Sequence, residues 1–187
     1  METLAMTNET LSAMLRKLET AEPVAKSRKL AAVSVIIAGD DSPKTLLIKR
    51  AERRSDPWSG QVAFPGGKMV ESDGSLRQTA IRETREELGV DLARDADFAG
   101  YYVPFRTHTG NMEVVPAIFL VKREVKVIPN QEVSGYRWVG LDAFLSARAA
   151  SRYHLEAGGV SRDMPAYMIG DYLVWGLTQR IVSSLFG

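Results

Sequence analysis

The sequence contains no cysteine and only two histidines, and these absences exclude several kinds of site. Without cysteine among its 187 residues, the chain can form no disulfide, no thiolate nucleophile and no cysteine-ligated zinc site. Two histidines, His108 and His154, are too few for a multi-histidine metal centre within one chain. Any metal site in a single copy must therefore rely mainly on oxygen ligands.

The chain also lacks a strong charge of one sign and a long hydrophobic run. Lysine and arginine together number 24, against 23 acidic residues, and a net charge of +1 argues against a nucleic-acid polymer as partner. The longest apolar stretches, such as residues 114–121, are far shorter than the ~20 residues that span a bilayer. The N-terminal segment does not have the basic-then-apolar layout of a secretion signal. We expect a cytoplasmic protein that does not contact a membrane.

Length and hydrophobic periodicity predict one globular domain preceded by a helix. An apolar content of 45% in 187 residues is enough to bury a full core, and no repeat or linker interrupts the chain. We predict a lead-in at residues 1–29, with an amphipathic helix at 7–18, followed by the main domain at 30–187. The leucine and methionine side chains of that helix either join the core or contact a second copy, and we expect the core.

Strand and helix patterns follow one another along the main domain. Runs rich in β-branched and apolar residues at 30–38 and 45–50 predict a hairpin, and residues 75–88 predict a helix that ends at Gly89. The remaining predicted elements are strands at 98–105, 113–122 and 132–139, a short helix at 141–149, a hairpin-like stretch at 152–174 and a final helix at 174–185. This pattern predicts an α+β or layered α/β/α domain with a mixed sheet.

Three glutamates share one face of the predicted helix at residues 75–88. At ~100° per residue, Glu87 lies ~40° from Glu83, and Glu86 lies ~60° away on the other side. An all-oxygen cluster of this kind suits Mg²⁺ or Mn²⁺, which binds a few carboxylates together with waters and substrate phosphates. The alternative is a solvated charged face on which Arg82 pairs with Glu86, and for one helix alone this is the commoner arrangement.

The opposite side of the same helix is apolar. Ile81 and Leu88 point to that side, so we expect it to pack into the core. The glutamates are then expected on the face that is not packed.

A glycine-rich segment before the helix changes the balance between these two interpretations. In Phe64-Pro65-Gly66-Gly67-Lys68, the two glycines allow the backbone to approach a ligand closely, although a double glycine alone indicates only a tight turn. A spacer of fourteen residues, 68–81, connects this segment to Arg-Glu-x-x-Glu-Glu-x-Gly. The combination is far more specific than either half.

The combined pattern resembles the Nudix box, which has the form Gly-x5-Glu-x7-Arg-Glu-U-x-Glu-Glu-x-Gly-U, where U is apolar. In this chain it extends from Gly67 to Val90. Asp73 stands at the position of the first glutamate, the second spacer has eight residues, and Thr84 occupies the first apolar position.

Several features resemble the coenzyme A diphosphatase branch of that family, including the aspartate and the longer spacer. Residues 46–50 resemble its Leu-Leu-Thr-x-Arg motif, and residues 60–67 resemble its Gly-x3-Phe-Pro-Gly-Gly motif. Residues 174–178, Val-Trp-Gly-Leu-Thr, resemble the Ile-Trp-Gly-x-Thr near its C-terminus. Two positions depart from the branch, since Ile48 replaces a threonine and Asp56 replaces an arginine.

The resemblance covers about residues 30–182 and implies a Nudix-type α/β/α sandwich with a mixed sheet. It implies metal-dependent hydrolysis of a small nucleoside diphosphate derivative, with coenzyme A or its derivatives giving 4′-phosphopantetheine and adenosine 3′,5′-bisphosphate. Alternative substrates are ADP-ribose, NADH, nucleotide sugars and damaged nucleoside triphosphates. An alternative of another class is a non-catalytic nucleotide sensor, which has no chemical need for the acidic cluster. The resemblance leaves open a homodimer.

The resemblance also implies roles for individual residues. Glu83, Glu86 and Glu87, with the Gly66 carbonyl, would hold Mg²⁺ or Mn²⁺, which would neutralise charge on the diphosphate and lower the pKa of an attacking water. These glutamates are the predicted catalytic residues, because one of them, or an acid such as Glu132, would accept the proton of that water. Arg82 would orient the carboxylates. The predicted substrate contacts are Arg50, Gly67, Lys68 and Arg106.

Overall fold

A mixed sheet of eight strands lies at the centre of the part of the chain that the structure describes. The structure is a computed structural model that describes residues 11–24, 29–39, 42–53, 59–108, 110–147, 151–157 and 160–187. The strands of this sheet are β1 (Leu30–Ala38), β2 (Lys44–Arg50), β3 (Val62–Ala63), β4 (Gly66–Lys68), β5 (Asp97–Tyr101), β6 (Phe105–Arg106), β7 (Glu113–Val121) and β8 (Val133–Gly140).

Strand β1 is central because its small and β-branched side chains can be buried on both faces of the sheet. It pairs with β7 in parallel and with β2 and β4 in the antiparallel sense. Strands β3 and β8 pair with β2, whereas β5 and β6 pair with β7. The predicted hairpin of residues 30–38 and 45–50 is therefore confirmed.

Helices and a second, three-stranded sheet cover the two faces of the large sheet. The small sheet has the order β11-β10-β9. Its strands are β9 (Arg152–Ala157), β10 (Val160–Ile169) and β11 (Tyr172–Trp175). The helices are α1 (residues 11–15), α2 (Leu76–Leu88), α3 (Leu92–Asp95), α4 (Leu141–Ala147) and α5 (Gly176–Phe186), with a 3₁₀ turn at Glu71–Asp73.

Two separate cores form on the two faces of the large sheet, because successive side chains of a strand point to opposite faces. Helix α2 packs on one face, while α1, α4, α5 and the small sheet pack on the other. The first core contains Ile36, Leu46, Leu76, Leu88 and Phe119, among others. The second contains Met14, Ile37, Phe64, Val174 and Ile181, among others. The predicted α/β/α sandwich with a mixed sheet is confirmed.

The N-terminal helix contributes to the core rather than remaining exposed. Residues 11–15 are helical, a turn follows at 16–17, and residues 7–10 of the predicted helix lie outside the described residues. Met14 is fully buried in the second core. The interpretation of this side chain as part of the core is confirmed. No helix in the described ranges is long and apolar enough to cross a bilayer.

The strand predicted at 98–105 and the final helix differ clearly from the prediction. The strand predicted at 98–105 is divided into β5 and β6, and Pro104, which has no amide hydrogen for a ladder, lies in the gap. The final helix begins at Gly176 instead of residue 174, because Val174 and Trp175 pair with β10. Residues 148–149 of the predicted short helix lie outside the described residues. The short strands β3 and β4, the 3₁₀ turn and α3 were not predicted.

Candidate functional site

The double glycine forms strand β4, which lies directly against β1. Gly66 pairs with Val33 and Gly67 pairs with Ala32. Gly66 has φ +146°, and a Cβ there would collide with the Ala32 carbonyl oxygen and lie 2.6 Å from the Val33 Cα. Only glycine therefore fits at this position. The Gly66 amide donates a hydrogen bond of 2.9 Å to the Glu87 carboxylate.

The second glycine makes room for a second carboxylate. A Cβ on Gly67 would lie 2.5 Å from the Glu83 Cδ and 2.6 Å from both carboxylate oxygens. Glu87 therefore contacts Gly66, and Glu83 lies against the next residue, Gly67. The structure brings the predicted glycine turn and two of the three predicted glutamates together.

Caps and apolar contacts set the position of α2. Ser75 caps its first turn by accepting a 3.1 Å hydrogen bond from the Gln78 amide, and Gly89 ends it in the left-handed region at φ +64°. Leu76 and Leu88 are fully buried at the two ends of the helix. Because these contacts fix the rotation of α2, the side of the helix that carries Glu83 and Glu87 faces the glycine turn.

A polar pair replaces the apolar contact that the resembled motif has at its first U position. Thr84 is fully buried, and its hydroxyl donates a 2.7 Å hydrogen bond to the Ser34 hydroxyl on β1. Ser34 in turn donates to the Ala80 carbonyl oxygen at 3.1 Å. Thr84, where the resembled motif has an apolar residue, is therefore paired by a hydrogen bond with Ser34, a polar residue in the otherwise apolar strand β1.

Arg82 connects the acidic face to the surrounding backbone. Its guanidinium donates to Asp73 at 2.7 and 3.0 Å and to the Lys68 carbonyl oxygen at 3.0 Å. It also forms ion pairs with Glu83 at 2.9 Å and Glu86 at 3.2 Å. Arg82 therefore holds two carboxylates of the helix and the end of β4 in one arrangement, as its predicted orienting role requires.

Asp73 anchors this arrangement from the 3₁₀ turn. Besides Arg82, its carboxylate accepts hydrogen bonds from the Val70 amide at 3.0 Å and the Thr79 hydroxyl at 2.8 Å. The hydrogen bond from Arg82 holds the pKa of Asp73 well below its usual value, and the same contact raises the pKa of Arg82. Sequence reasoning missed this anchoring role, although the motif departure at Asp73 marked the position.

The three glutamates lie in different environments. Burial raises the pKa of Glu87 to about 7, and repulsion from Glu83 adds to the effect, while the Gly66 amide and Arg50 oppose it. Burial is also the main cause of the raised pKa of Glu83. The Glu86 side chain is 57% exposed. The expectation that all three acids lie on an unpacked face is wrong for Glu87, which is 4% exposed because it packs against the glycine turn.

The donor set fits a hard divalent cation by its chemistry. All the predicted donors are oxygens, and burial of two mutually repelling carboxylates carries a cost that such a cation would offset. Within the described ranges, no group of three acidic or histidine side chains is already gathered for a metal. Glu86 is turned toward Arg82 instead.

Arg50 and Glu132 lie at the end of the site where α2 terminates. The Arg50 amide donates to the Gln61 carbonyl oxygen at 2.9 Å, so the residue is fixed where β2 meets the start of β3. The charge of Arg50 lowers the pKa of Glu87, and that of Glu132 raises it. Glu132 also pairs with Arg53 at 3.1 Å.

The other two predicted substrate contacts lie farther apart. Lys68 has an exposed side chain at the end of β4. Arg106 lies on β6, with β1 and β7 between it and β4, and its Nε is 3.5 Å from the buried Glu113. At ~4.8 Å per strand, this places β6 ~14 Å from β4. The structure does not bring Arg106 to the glutamates.

Comparison with known proteins agrees with this geometry. Residues 28–157 match the NUDIX domain family. The protein named uncharacterized Nudix hydrolase NudL of Yersinia enterocolitica is 30% identical over 97% of this chain and 94% of its own length. The protein of the same name from Yersinia pestis is 32% identical over 85% and 79%.

A solved structure supports the same fold. The Nudix hydrolase RenU from M. smegmatis superposes with a TM-score of 0.54 at 21% identity, over 65% of this chain and 76% of that chain. The family match, the Yersinia relatives and the shared fold lead to one conclusion. This chain belongs to the Nudix family and is a hydrolase that acts on the diphosphate bond of nucleoside diphosphate derivatives.

Proposed function

We propose that this Nudix hydrolase cleaves coenzyme A or its derivatives into 4′-phosphopantetheine and adenosine 3′,5′-bisphosphate. The reaction uses Mg²⁺ or Mn²⁺ held by Glu83, Glu86 and Glu87 together with the Gly66 carbonyl. A bound divalent ion neutralises charge on the diphosphate oxygens and lowers the pKa of the attacking water.

One observation carries the assignment to coenzyme A. The two sequence segments that resemble the coenzyme A branch, residues 46–50 and 60–67, are joined by backbone pairing of β2 with β3 and by the hydrogen bond from Arg50 to Gln61. The charge of Arg50, the last residue of the first segment, and the amide of Gly66 in the second both act on Glu87. The branch-specific segments therefore border the acidic face, where they can contact the substrate.

The residues around the glutamates have distinct parts in this proposal. Arg82 holds Glu83 and Glu86 while Asp73 holds Arg82, so the acidic face keeps its form before substrate arrives. Arg50, Gly67 and Lys68 contact the diphosphate of the substrate, whereas Arg106, which was predicted to do so, lies too far from the glutamates for that contact. The proton of the attacking water goes to one of the glutamates or to Glu132.

A substrate panel tests the proposal. Purified protein is incubated with Mg²⁺ or Mn²⁺ and with coenzyme A, ADP-ribose, NADH, a nucleotide sugar or 8-oxo-dGTP, and the products are identified by mass spectrometry. We expect coenzyme A to have the highest kcat/KM, with cleavage within the diphosphate. Faster cleavage of another diphosphate would overturn the assignment to coenzyme A, and binding without any product would favour a nucleotide sensor.

Substitution of single glutamates tests the metal assignment. Because changes next to metal ligands typically cost 10- to 100-fold, we expect Glu83→Gln or Glu87→Gln to lower kcat by at least ~100-fold. Each amide keeps the shape of the side chain, so the melting temperature should stay close to that of the wild type. The exposed Glu71→Gln is the matched control and should retain activity. Wild-type turnover in Glu87→Gln would contradict the assignment.

A further inference from the structure

Tyr136 on β8 differs from the other tyrosines of the described ranges. Each of the others packs its ring against an aromatic ring or an arginine guanidinium, namely Tyr101, Tyr102, Tyr153, Tyr167 and Tyr172. Tyr136 is 42% exposed and has no ring contact or side-chain hydrogen bond with any other described residue. A phenol ring with an open face offers a flat apolar surface on which a planar ligand can stack.

The ring of Tyr136 lies on the face of the large sheet that carries α2. Both of its chain neighbours face the other way, because a Cβ on Gly135 would lie 3.2 Å from the Tyr172 hydroxyl oxygen and the Arg137 guanidinium lies 4.6 Å from the Tyr172 ring centroid. Tyr172 belongs to the second core, so the alternation of a strand directs Tyr136 to the opposite face. Its partner on β2, Ile48, is accordingly buried in the first core, which also holds α2.

Backbone pairing also fixes how far Tyr136 is from the acidic face. Tyr136 pairs with Ile48, and Arg50 follows two residues later on β2. At ~3.4 Å per residue and ~5 Å between paired Cα atoms, the Cα atoms of Tyr136 and Arg50 are ~8 Å apart. The charge of Arg50 acts on Glu87, and the segment before β8 is tied to the same residue because the Asn130 amide donates to the Glu87 carbonyl oxygen at 2.8 Å. This separation is comparable with that between the phosphates and the base of a nucleotide.

We infer that the nucleobase of the substrate stacks on the Tyr136 ring while its diphosphate lies at Arg50 and the glutamates. Every nucleobase has a planar π face, and stacking on an aromatic side chain requires no specific hydrogen bond. A nucleoside diphosphate derivative, the substrate class of this family, supplies both the base and the diphosphate. The inference rests on the proposed position of the diphosphate at the glutamates, and it does not require that the substrate is coenzyme A.

A binding comparison that involves no cleavage tests the stacking site. AMP and ribose 5-phosphate, of which only AMP carries a base, are titrated by isothermal calorimetry in the presence of Mg²⁺ into the wild type, Tyr136→Leu and Tyr136→Phe. Stacking of one base typically changes affinity by about tenfold or more, so Tyr136→Leu should bind AMP about tenfold more weakly. Its affinity for ribose 5-phosphate should stay unchanged. Tyr136→Phe keeps the ring and should bind AMP as the wild type does.

A second exposed apolar side chain provides the control. Met168 on β10 is 50% exposed, and Met168→Ala should leave both affinities unchanged. Equal losses for both ligands in Tyr136→Leu, an unchanged affinity for AMP, or a wild type without a preference for AMP would overturn the inference. A lower molecular mass of Tyr136→Leu by light scattering would also overturn it, because a second copy of the chain would then cover the ring.

Kinetics separate this inference from the proposed function. For the diphosphate that the substrate panel identifies, Tyr136→Leu should raise KM by about tenfold and leave kcat unchanged, because the ring does not reach the phosphorus that reacts. A lower kcat at unchanged KM would contradict a role in stacking. Failure to cleave coenzyme A would refute the proposed function, while AMP and ribose 5-phosphate would still decide for or against the stacking site.

Discussion

Gly66 and Gly67 are neighbours in the same strand, yet the structure requires glycine at each for a different reason. At Gly66 the obstacle is the backbone of β1, because a Cβ would strike the Ala32 carbonyl oxygen. At Gly67 the obstacle is the carboxyl group of Glu83, which stands at the end of a flexible side chain. A methyl group at the first position would therefore disturb the fold, and one at the second would disturb the site.

This difference predicts opposite outcomes for two alanine substitutions. We expect Gly67→Ala to fold normally and to lower kcat by about 100-fold, because small displacements of catalytic groups have effects of this size. We expect Gly66→Ala to be strongly destabilised, since neither its φ nor its contacts with β1 accommodate a side chain. Thermal unfolding and diphosphate hydrolysis are measured for both. A Gly67→Ala protein with wild-type kcat would show that Glu83 does not depend on this glycine.

At the level of residues, the sequence correctly predicted which side chains share one face of α2. It did not predict the contacts that those side chains make with distant segments of the chain. The spacing of Glu83, Glu86 and Glu87 gave their common face, since this depends only on helical geometry. It did not give the burial of Glu87, because that depends on Gly66, which is 21 residues away. Ser34 is a polar residue in an apolar strand, and this contrast was the available signal for its pairing with Thr84.

At the scale of elements, Asp73 and Arg82 join the 3₁₀ turn to the middle of α2. The two hydrogen bonds between them fix the 3₁₀ turn, which follows β4, against the helix that carries the glutamates. Because Arg82 also contacts the Lys68 carbonyl oxygen, the strand, the turn and the helix depend on one ion pair. Loss of the Asp73 charge should therefore reduce stability as well as activity.

We predict that Asp73→Asn lowers the free energy of unfolding at pH 7 by roughly 2 kcal/mol, a value between those of surface and buried ion pairs. In the wild type, the pKa of Asp73 is lower in the folded than in the unfolded state. Its contribution is therefore fully present above the unfolded pKa of ~3.9 and is lost as pH falls below that value toward the folded pKa. The difference between variant and wild type should be constant at neutral pH and shrink steadily as the pH falls below ~4, as measured by urea unfolding.

A matched substitution checks that the effect belongs to this ion pair. Asp95 also pairs with an arginine, its chain neighbour Arg94, but at the surface. Asp95→Asn should leave the unfolding free energy nearly unchanged. An equal loss in both variants, or a difference at Asp73 that does not vary with pH, would contradict the role of Asp73 as an anchor.

Long elements were predictable from the sequence and very short ones were not. The prediction of α2 at 75–88 agrees with Leu76–Leu88 because the Ser75 cap, the apolar stripe and Gly89 all act locally. Strands β3 and β4 contain two and three residues, too few for a hydrophobic period to be visible. They exist because the neighbouring strands β1 and β2 offer them hydrogen bonds, and this is a tertiary effect.

At the scale of the whole molecule, the lead-in segment is continuous with the main domain. Met14 is fully buried in the second core. The Glu22 carboxylate accepts hydrogen bonds from the Leu76 amide at 3.0 Å and the Tyr101 hydroxyl at 3.2 Å, and thus touches the start of α2. Residues before β1 therefore support the helix that carries the glutamates.

This continuity predicts a large effect of a substitution far from the acidic face. We expect Met14→Ala to lower the free energy of unfolding by about 2–5 kcal/mol, as for other buried methionines, and the melting temperature by about 5–15 °C. Val24→Ala, at a side chain that is 90% exposed, is the matched control and should change neither value. Differential scanning calorimetry gives both quantities. A Met14→Ala protein as stable as the control would show that the lead-in is dispensable.

The separation of the two cores by the large sheet has a consequence for divergence within the family. Side chains that hold the acidic helix meet one side of the sheet, whereas α5 and the three-stranded sheet rest on the other. Mutations in α5 or in the three-stranded sheet can accumulate without altering the side chains that pack directly beneath the carboxylates. A lineage can thus remodel one half of the molecule while the other half preserves the hydrolytic chemistry.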